Sequence, residues 1–88
     1  MEYGRKIRAI REAEGLTQPA LAMECGLPLS CIEGIELGGN KTELETIEKL
    51  IKNERIAKYT LWLMIGKTTE SAGQISPALS HSGREKIN

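Results

Sequence analysis

The stretch QPALAMECGLPLSCIEGI, residues 18–35, decides the fold of this 88-residue chain. Ala22 lies four residues before Gly26, between two short segments that are each rich in apolar residues. Two short helices that cross at about 90–120° need a small side chain where their backbones approach, and a turn residue that tolerates a positive φ. Ala22 and Gly26 meet these demands, and Ile32 and Ile35 supply the apolar face of the second helix. The stretch therefore predicts a helix-turn-helix.

Apolar residues at helical spacing continue on both sides of this motif and predict a chain built from helices. The expected elements are a helix over residues 2–14, the two motif helices over residues 18–25 and 28–36, a fourth helix behind the capping box Thr42-Glu43-Leu44-Glu45, and a fifth from Asn53 to Gly66. Gly15 ends the first helix, because glycine readily takes the left-handed conformation beyond a helix C-terminus. The predicted fold class is all-α, a five-helix bundle that contains a helix-turn-helix.

The fifth predicted helix is apolar on nearly every side, since residues 61–65 read LWLMI. A helix that is apolar all round is normally buried all round, but a domain this small can cover only one face of it. The uncovered apolar surface predicts contact with a partner and marks Leu61, Trp62 and Ile65 as interface candidates.

Beyond the fifth helix the composition shifts to serine, threonine, glycine and charged residues. We expect one domain over residues 1–66 and an arm over residues 67–88 that becomes ordered in part through dimerisation. Ile75, Pro77 and Leu79 alternate within the arm, at the spacing of a strand that is too short to fold alone. Two interpretations stay open for this segment, a short intersubunit strand or an unstructured tail.

Composition argues against several classes of function. Basic and acidic residues number 12 each, so the net charge is zero, which is unusual for a protein that binds nucleic acid. Two cysteines and one histidine are too few for a zinc site, and no plausible nucleophile has a catalytic cluster beside it. We therefore expect no enzyme activity, metal or cofactor. No segment approaches the ~20 apolar residues of a membrane span, so we expect a soluble cytoplasmic protein.

The motif and its flanks resemble the Cro/C-repressor type of helix-turn-helix domain over about residues 3–51. The residues that carry this resemblance are Ile7-Arg8, Arg11, Gly15-Leu16-Thr17-Gln18-Pro19-Ala20-Leu21-Ala22, Gly26-Leu27, Ile32-Glu33, Ile35-Glu36 and Gly38. The resemblance implies a lambda-repressor-like fold whose third helix, the recognition helix, lies in the major groove of double-stranded DNA.

The same resemblance assigns roles to individual positions. Thr17 and Gln18 match positions that hold phosphate at the start of the second helix, where exposed N–H groups and the helix dipole favour an anion. The implied base-contacting residues are Leu29, Ser30, Glu33 and Gly34. The implied contacts to the DNA backbone from the next loop are Asn40 and Lys41. A salt bridge between the first and third helices maps to Arg11 and Glu36.

The C-terminal half carries a narrower resemblance. Residues 57–64, AKYTLWLM, and residues 71–79, SAGQISPAL, look like the corresponding part of the short C immunity repressors of P-two-like temperate phages. Members of that family are dimeric single-domain repressors that hold the lytic promoter silent. The resemblance implies a homodimeric, sequence-specific transcriptional repressor that binds a repeated operator and maintains lysogeny in the bacterial host cell. The implied dimer interface is Leu61, Trp62, Ile65, Ile75 and Leu79.

Two other classes of protein share the helix-turn-helix: the DNA-binding antitoxin of a toxin–antitoxin pair, and an interaction module that has lost DNA binding. The match over residues 57–79 argues against an antitoxin, which would need a toxin-wrapping segment there. The interaction module is favoured only by the zero net charge and by a recognition helix without Arg, Lys, Gln or Asn, the usual partners of guanine and adenine. Arg5, Lys6 and Arg8 form either a solvated helix face or phosphate contacts.

Overall fold

The computed structural model of the protein describes residues 3–38 and 42–80. Its helices are α1 (Tyr3–Ala13), α2 (Gln18–Cys25), α3 (Leu29–Leu37), α4 (Leu44–Ile51), α5 (Glu54–Ala57) and α6 (Thr60–Ile65). A 3-10 turn at Glu70–Ala72 follows, and residues 77–80 are again helical. Helices dominate these two ranges, which confirms the predicted all-α class. None of the helices described in them is long and apolar enough to cross a membrane.

The helix-turn-helix forms at the predicted residues. The Thr17 hydroxyl oxygen accepts a hydrogen bond from the backbone N–H of Ala20 (3.2 Å) and so caps α2. Gly26 ends the helix at φ 67°, in the left-handed region that glycine enters without steric cost. The N–H of Leu27 then donates to the carbonyl of Ala22 (2.9 Å), which closes the turn before α3.

A core made mainly of aliphatic side chains, with Tyr59 among them, lies between the helix-turn-helix and the later helices. Its largest fully buried side chains are Tyr59, Ile7, Ile10, Leu21, Ile32, Leu50, Ile56 and Leu63. α1 passes α3 so closely that a Cβ atom on Gly4 would overlap the carbonyl oxygen of Ile35. Glycine at this position therefore permits the short separation between α1 and α3.

The predicted capping box at Thr42-Glu43-Leu44-Glu45 is wrong. The N-cap residue of α4 is Glu43, and its side chain makes no capping bond. The backbone carbonyl of Glu43 accepts the N–H groups of Thr46 (3.1 Å) and Ile47 (3.2 Å). The first helical turn thus starts one residue later than the box requires.

The predicted fifth helix is divided into α5 and α6 by a turn at Lys58 and Tyr59. Asn53 caps α5 as expected, since its side-chain oxygen accepts the N–H of Arg55 (2.9 Å). Tyr59 leaves the helical conformation (φ −103°, ψ 5°) and is fully buried. Its hydroxyl donates to Glu14 Oε2 (2.7 Å), just beyond the end of α1. Burial of this ring and its hydrogen bond offset the interruption of the helix.

Gln74 and Ile75 form hydrogen bonds with backbone groups near this interruption of the helix. The Gln74 side chain donates to the carbonyl of Ala57 (3.0 Å) and accepts the N–H of Leu61 (2.9 Å). The N–H of Ile75 donates to the carbonyl of Lys58 (2.8 Å). Because backbone polar groups away from water need such partners, Gln74 and Ile75 complete the fold of α5 and α6 within the single chain.

The alternation of Ile75, Pro77 and Leu79 does not produce a strand within the single chain. Residues 77–80 are helical, and this helix begins with a bond to the carbonyl of Ser76 (3.2 Å). Proline suits a first helical turn because it has no N–H to leave unsatisfied. The remainder of the predicted arm, after these residues, lies outside the described part of the chain.

Candidate nucleic-acid interface

α3 presents one side to the core and the opposite side to solvent. Ile32 and Ile35 are buried on the core side. The exposed side, which we call the outer face of α3, consists of Leu29, Ser30, Glu33 and Leu37. Leu29, Glu33 and Leu37 follow one another at intervals of four residues and therefore form one stripe along the helix. A recognition helix lays an exposed face of this kind into the major groove.

The outer face contains Leu29, Ser30 and Glu33, three of the residues predicted to contact bases. Gly34, the fourth, is half-buried and lines a groove of about 550 Å³ between α3 and α4. Leu37, which sequence reasoning missed, is 85% exposed, and its four-residue spacing from Glu33 is the signal that could have identified it. Asn40 and Lys41 lie outside the described residues.

The start of α2 places Gln18 beside the end of α3, and Thr17 caps the same helix start. Thr17 is exposed; its oxygen accepts the Ala20 N–H, and its hydroxyl hydrogen remains free to donate to a ligand such as a phosphate. Gln18 donates its side-chain amide to Glu36 Oε1 (3.1 Å), so this amide is held by the protein itself. Both residues stand at a helix N-terminus, where the dipole favours an anion.

Arg11 and Glu36 form a two-pronged ion pair between α1 and the last turn of α3. Arg11 Nε and Nη2 lie 2.7 and 2.9 Å from the two oxygens of Glu36, and Nη1 donates to the carbonyl of Leu16 (2.9 Å). The two side chains are only 14% and 6% exposed. The hydrogen bond to Glu36 raises the pKa of Arg11 above its ordinary value, against the opposing effect of burial. This geometry fixes the orientation of α3 relative to α1.

Two cations of α1 are engaged within the protein. Arg8 lies 3.4 Å from Glu12, one turn later, in an exposed pair. Lys6 Nζ donates to the carbonyls of Trp62 (3.0 Å) and Leu63 (3.2 Å) near the C-terminal end of α6. It also lies 5.3 Å from the centre of the Trp62 ring. Lys6 is therefore neither a solvated residue nor one that points toward a phosphate: it ties α1 to α6.

A second exposed surface, which we call the α6 groove, is lined by Thr60, Leu61, Met64, Ile65 and Gln74. Three of these side chains are large and apolar, and Ile65 is 59% exposed. An open apolar groove on a small protein is typical of an interaction surface. The groove contains Leu61 and Ile65, two of the residues predicted at a dimer interface.

The other residues predicted at a dimer interface lie outside the lining of the α6 groove. Trp62 lies beneath Lys6 and faces α1. Ile75 packs against the core, and Leu79 is half-buried in the last described helical turn. The structure therefore groups Leu61 with Ile65 and directs Trp62 elsewhere.

The two cysteines are free thiols in different surroundings. Burial, with a smaller contribution from Glu24, raises the pKa of the Cys25 thiol to about 11. Cys31 is half-buried, and its sulfur lies 3.9 Å from Thr46 Oγ1. In residues 3–38 and 42–80, no three histidine, cysteine or acidic side chains are grouped as a metal site requires.

The capped helix-turn-helix and the exposed outer face of α3 define a small helix-turn-helix protein. No family model matches the chain. It is 31% identical over 81 residues to Repressor protein C of Escherichia phage P2, and the match covers 92% of this chain and 82% of the phage protein. The chain belongs to the family of P2-like C repressors, which confirms the resemblance noted over residues 57–79.

Proposed function

We propose that this protein is a sequence-specific DNA-binding transcriptional repressor that silences phage lytic genes and so maintains lysogeny. The observation that carries the proposal is the outer face of α3, an exposed helix face held in place by the Arg11–Glu36 ion pair. The name of the relative, Repressor protein C, supports repression as the consequence of DNA binding. The protein acts by binding alone in the cytoplasm of the bacterial host, without catalysis or a cofactor.

In this proposal α3 enters the major groove with its outer face toward the base edges. The contact residues are Thr17, Gln18, Leu29, Ser30, Glu33, Gly34, Asn40 and Lys41. Leu29 contacts a thymine methyl group and Ser30 hydrogen-bonds a base edge, while Thr17 donates its hydroxyl hydrogen to a phosphate. Since α3 carries no Arg, Lys, Gln or Asn, the shape of the DNA contributes to the choice of operator.

Two copies pair on a repeated operator through the α6 groove. The interface in this proposal comprises Leu61, Met64 and Ile65, flanked by Ile75 and Leu79, whereas Trp62 contacts Lys6 of α1 and is left out of it. An outer face without a basic residue binds one half-site weakly, so the linkage of two half-sites supplies much of the affinity. The apolar lining of the groove supports this pairing, because a second copy would remove the exposed Ile65 and the half-buried Leu61 and Met64 from water.

DNA binding is tested by a fluorescence anisotropy titration at 150 mM salt. The probes are a duplex from the region next to the gene and a scrambled duplex of equal length and composition. We expect the first to bind at least about a thousandfold more tightly, as is typical of specific sites. Equal affinity for the two duplexes would contradict the proposal.

A pair of alanine variants tests the outer face of α3. Leu29→Ala removes the proposed contact with a thymine methyl group and should weaken operator binding about fivefold. Met23→Ala is the matched control, because Met23 is 84% exposed on α2 and lies off the outer face of α3. Equal effects of the two substitutions would contradict the proposed orientation of α3.

Pairing is tested by sedimentation equilibrium at micromolar concentration. We expect a dimer for the intact protein and a monomer for Leu61→Lys, because a lysine in the α6 groove would be buried without a partner. Met23→Lys makes a similar change on α2 and should remain a dimer. A monomeric intact protein would contradict the dimer. A truncation after Gly66 would be a less specific test of pairing than these point variants, because it would also remove the hydrogen bonds of Gln74 that complete the fold.

A further inference from the structure

We infer that Glu33 determines specificity by making DNA binding conditional on a cytosine in each operator half-site. The inference rests on the proposed function, because it assigns a discriminating role to one residue of the proposed contact face. It is carried by the position of Glu33 on α3 and by the pairing of the charges around it.

Glu33 lies in the middle of the outer face of α3. The exposed residues one turn before and one turn after it are Leu29 and Leu37, and its other neighbour on this face, Ser30, is neutral. Among the four residues of the outer face, Glu33 is therefore the one that carries a charge. When this face lies against the base edges, the Glu33 carboxylate reaches bases rather than the phosphates at the rim of the groove.

The charge of Glu33 is unpaired among residues 3–38 and 42–80. The groove that it lines also contains Arg8 and Arg11. Arg11 is held by Glu36 in the two-pronged pair, and Arg8 pairs with Glu12. Glu36 on the same helix is thus neutralised and 6% exposed, whereas Glu33 is exposed and no ion pair or hydrogen bond holds it.

An unpaired carboxylate meets two penalties in the major groove. The phosphates on either side repel its charge, and contact with a base edge removes its water. The N4 amino group of cytosine offsets both penalties by donating a hydrogen bond to the carboxylate. Guanine presents acceptors at this edge and thymine presents an acceptor and a methyl group, while adenine places its amino group beside the N7 acceptor.

Glu33 therefore weakens binding to any half-site that lacks cytosine at the matching position. Discrimination by penalising the wrong partner needs no bidentate donor. The residues around Glu33 on the outer face are neutral or apolar, so they do not offset the cost of placing its charge against a base other than cytosine. This cost explains how α3, which has no Arg, Lys, Gln or Asn, can still select an operator.

The test compares Glu33→Gln with Glu48→Gln, which makes the same charge change at an exposed position on α4. Both variants and the wild type are titrated with operator and scrambled duplexes at several salt concentrations. We expect Glu33→Gln to bind the scrambled duplex at least about threefold more tightly and to lower the operator-to-scrambled affinity ratio about tenfold. In selection from a random DNA pool, the wild type should require a cytosine in each half-site that Glu33→Gln no longer requires.

The outcomes separate the inference from the proposed function. Equal affinity ratios for Glu33→Gln and Glu48→Gln would overturn the inference and leave the repressor proposal standing. If Glu33→Gln changed the affinity for both duplexes by the same factor, the inference would also be overturned, because such a change involves no discrimination between bases. Circular dichroism verifies that each variant is folded. A wild type that prefers no DNA sequence would overturn both.

Discussion

α3 and α6 are held in similar ways but expose different surfaces. Each helix is short, and each ends at a glycine with positive φ, Gly38 after α3 and Gly66 after α6. A cation of α1 fixes each one: Arg11 binds Glu36 in the last turn of α3, and Lys6 binds carbonyls near the end of α6. The same first helix thus orients both surfaces.

The exposed faces differ in chemistry. The outer face of α3 mixes leucine with the Ser30 hydroxyl and the exposed Glu33 carboxylate, groups that suit polar base edges. The α6 groove is formed mainly by Leu61, Met64 and Ile65, which suit another apolar surface. The comparison teaches that one first helix can orient two exposed surfaces of different chemistry, which the proposed function assigns to DNA and to a second copy.

One of the two largest expected effects on stability comes from a pair of isoleucines that differ in burial. Ile32→Ala, at a position with 0% exposure on α3, should lower the free energy of unfolding by about 3 kcal/mol through lost burial and the cavity left behind. Ile65→Ala in the α6 groove should leave the stability of the monomer nearly unchanged but weaken pairing. Urea denaturation of dilute protein measures the first quantity and sedimentation the second. Equal losses of monomer stability would contradict the distinction between buried and exposed faces.

A pair of glutamates on α3 tests how this helix is held against α1. Glu36→Ala should destabilise the protein by about 3 kcal/mol, because it leaves the nearly buried Arg11 without its partner. Glu33→Ala, on the exposed side of the same helix, should not measurably change stability. Chemical denaturation of both variants measures the difference. If Glu36→Ala proved as stable as Glu33→Ala, the ion pair would not be what fixes α3.

Removal of the contact between Lys6 and α6 should lower the free energy of unfolding by a smaller amount. Lys6→Met removes two hydrogen bonds from a cation to α6 carbonyls and should cost about 1.5 kcal/mol. Because Lys6 also lies over the only tryptophan, the fluorescence of Trp62 should change in the folded protein. Lys52→Met, at an exposed position just after α4, is the control. Unchanged stability and fluorescence in Lys6→Met would remove the proposed tie between α1 and α6.

The smallest expected effect is on the pH dependence of stability, through Glu14. Burial acts to raise the pKa of Glu14, but hydrogen bonds from Tyr59 (2.7 Å) and Lys58 (2.9 Å) outweigh it, so this pKa lies below its ordinary value. A carboxylate with a lowered pKa in the folded state stabilises the protein above its unfolded-state pKa, and this contribution is lost as pH falls through the folded-state value. Tyr59→Phe removes one of these bonds and should cost about 1 kcal/mol at neutral pH.

The cost of Tyr59→Phe should shrink as the pH falls through the folded-state pKa of Glu14, which lies below its ordinary value, because protonation removes the charge that the hydroxyl stabilises. Denaturation of the wild type and the variant at a series of pH values measures this convergence. A cost that stayed constant down to acidic pH would show that the Glu14 charge is not what the hydroxyl stabilises.

Local signals made the helix-turn-helix predictable. The Thr17 cap, the turn glycine Gly26 and the small Ala22 are all decided by neighbours in the sequence, and the bounds of the first three helices were predicted to within about one residue. Leu29, Ser30 and Glu33 are exposed on one face of α3, and Gln18 bonds to Glu36 near the end of that helix. The roles of these residues and of Thr17 in DNA binding stay predictions.

Contacts between distant residues made the rest unpredictable. The division of the fifth helix depends on Tyr59 reaching Glu14 and on Gln74 binding Ala57, and neither pair is visible in helical periodicity. Lys6 was grouped with the basic face of α1 for the same reason, since its partners on α6 lie 56 and 57 residues away in the sequence. Helical periodicity describes one helix at a time, whereas these features depend on contacts between two separate elements of the chain.

The separation of a DNA-contacting face from a pairing face is tested most directly by a titration with two duplexes. One contains the intact operator and the other a single half-site, and each is titrated with the wild type and with Leu61→Lys. We predict that Leu61→Lys binds the single half-site like the wild type but loses at least about tenfold in affinity for the intact operator, because linkage between half-sites is lost. If Leu61→Lys and the wild type bound the intact operator equally well, the α6 groove would not be the pairing surface.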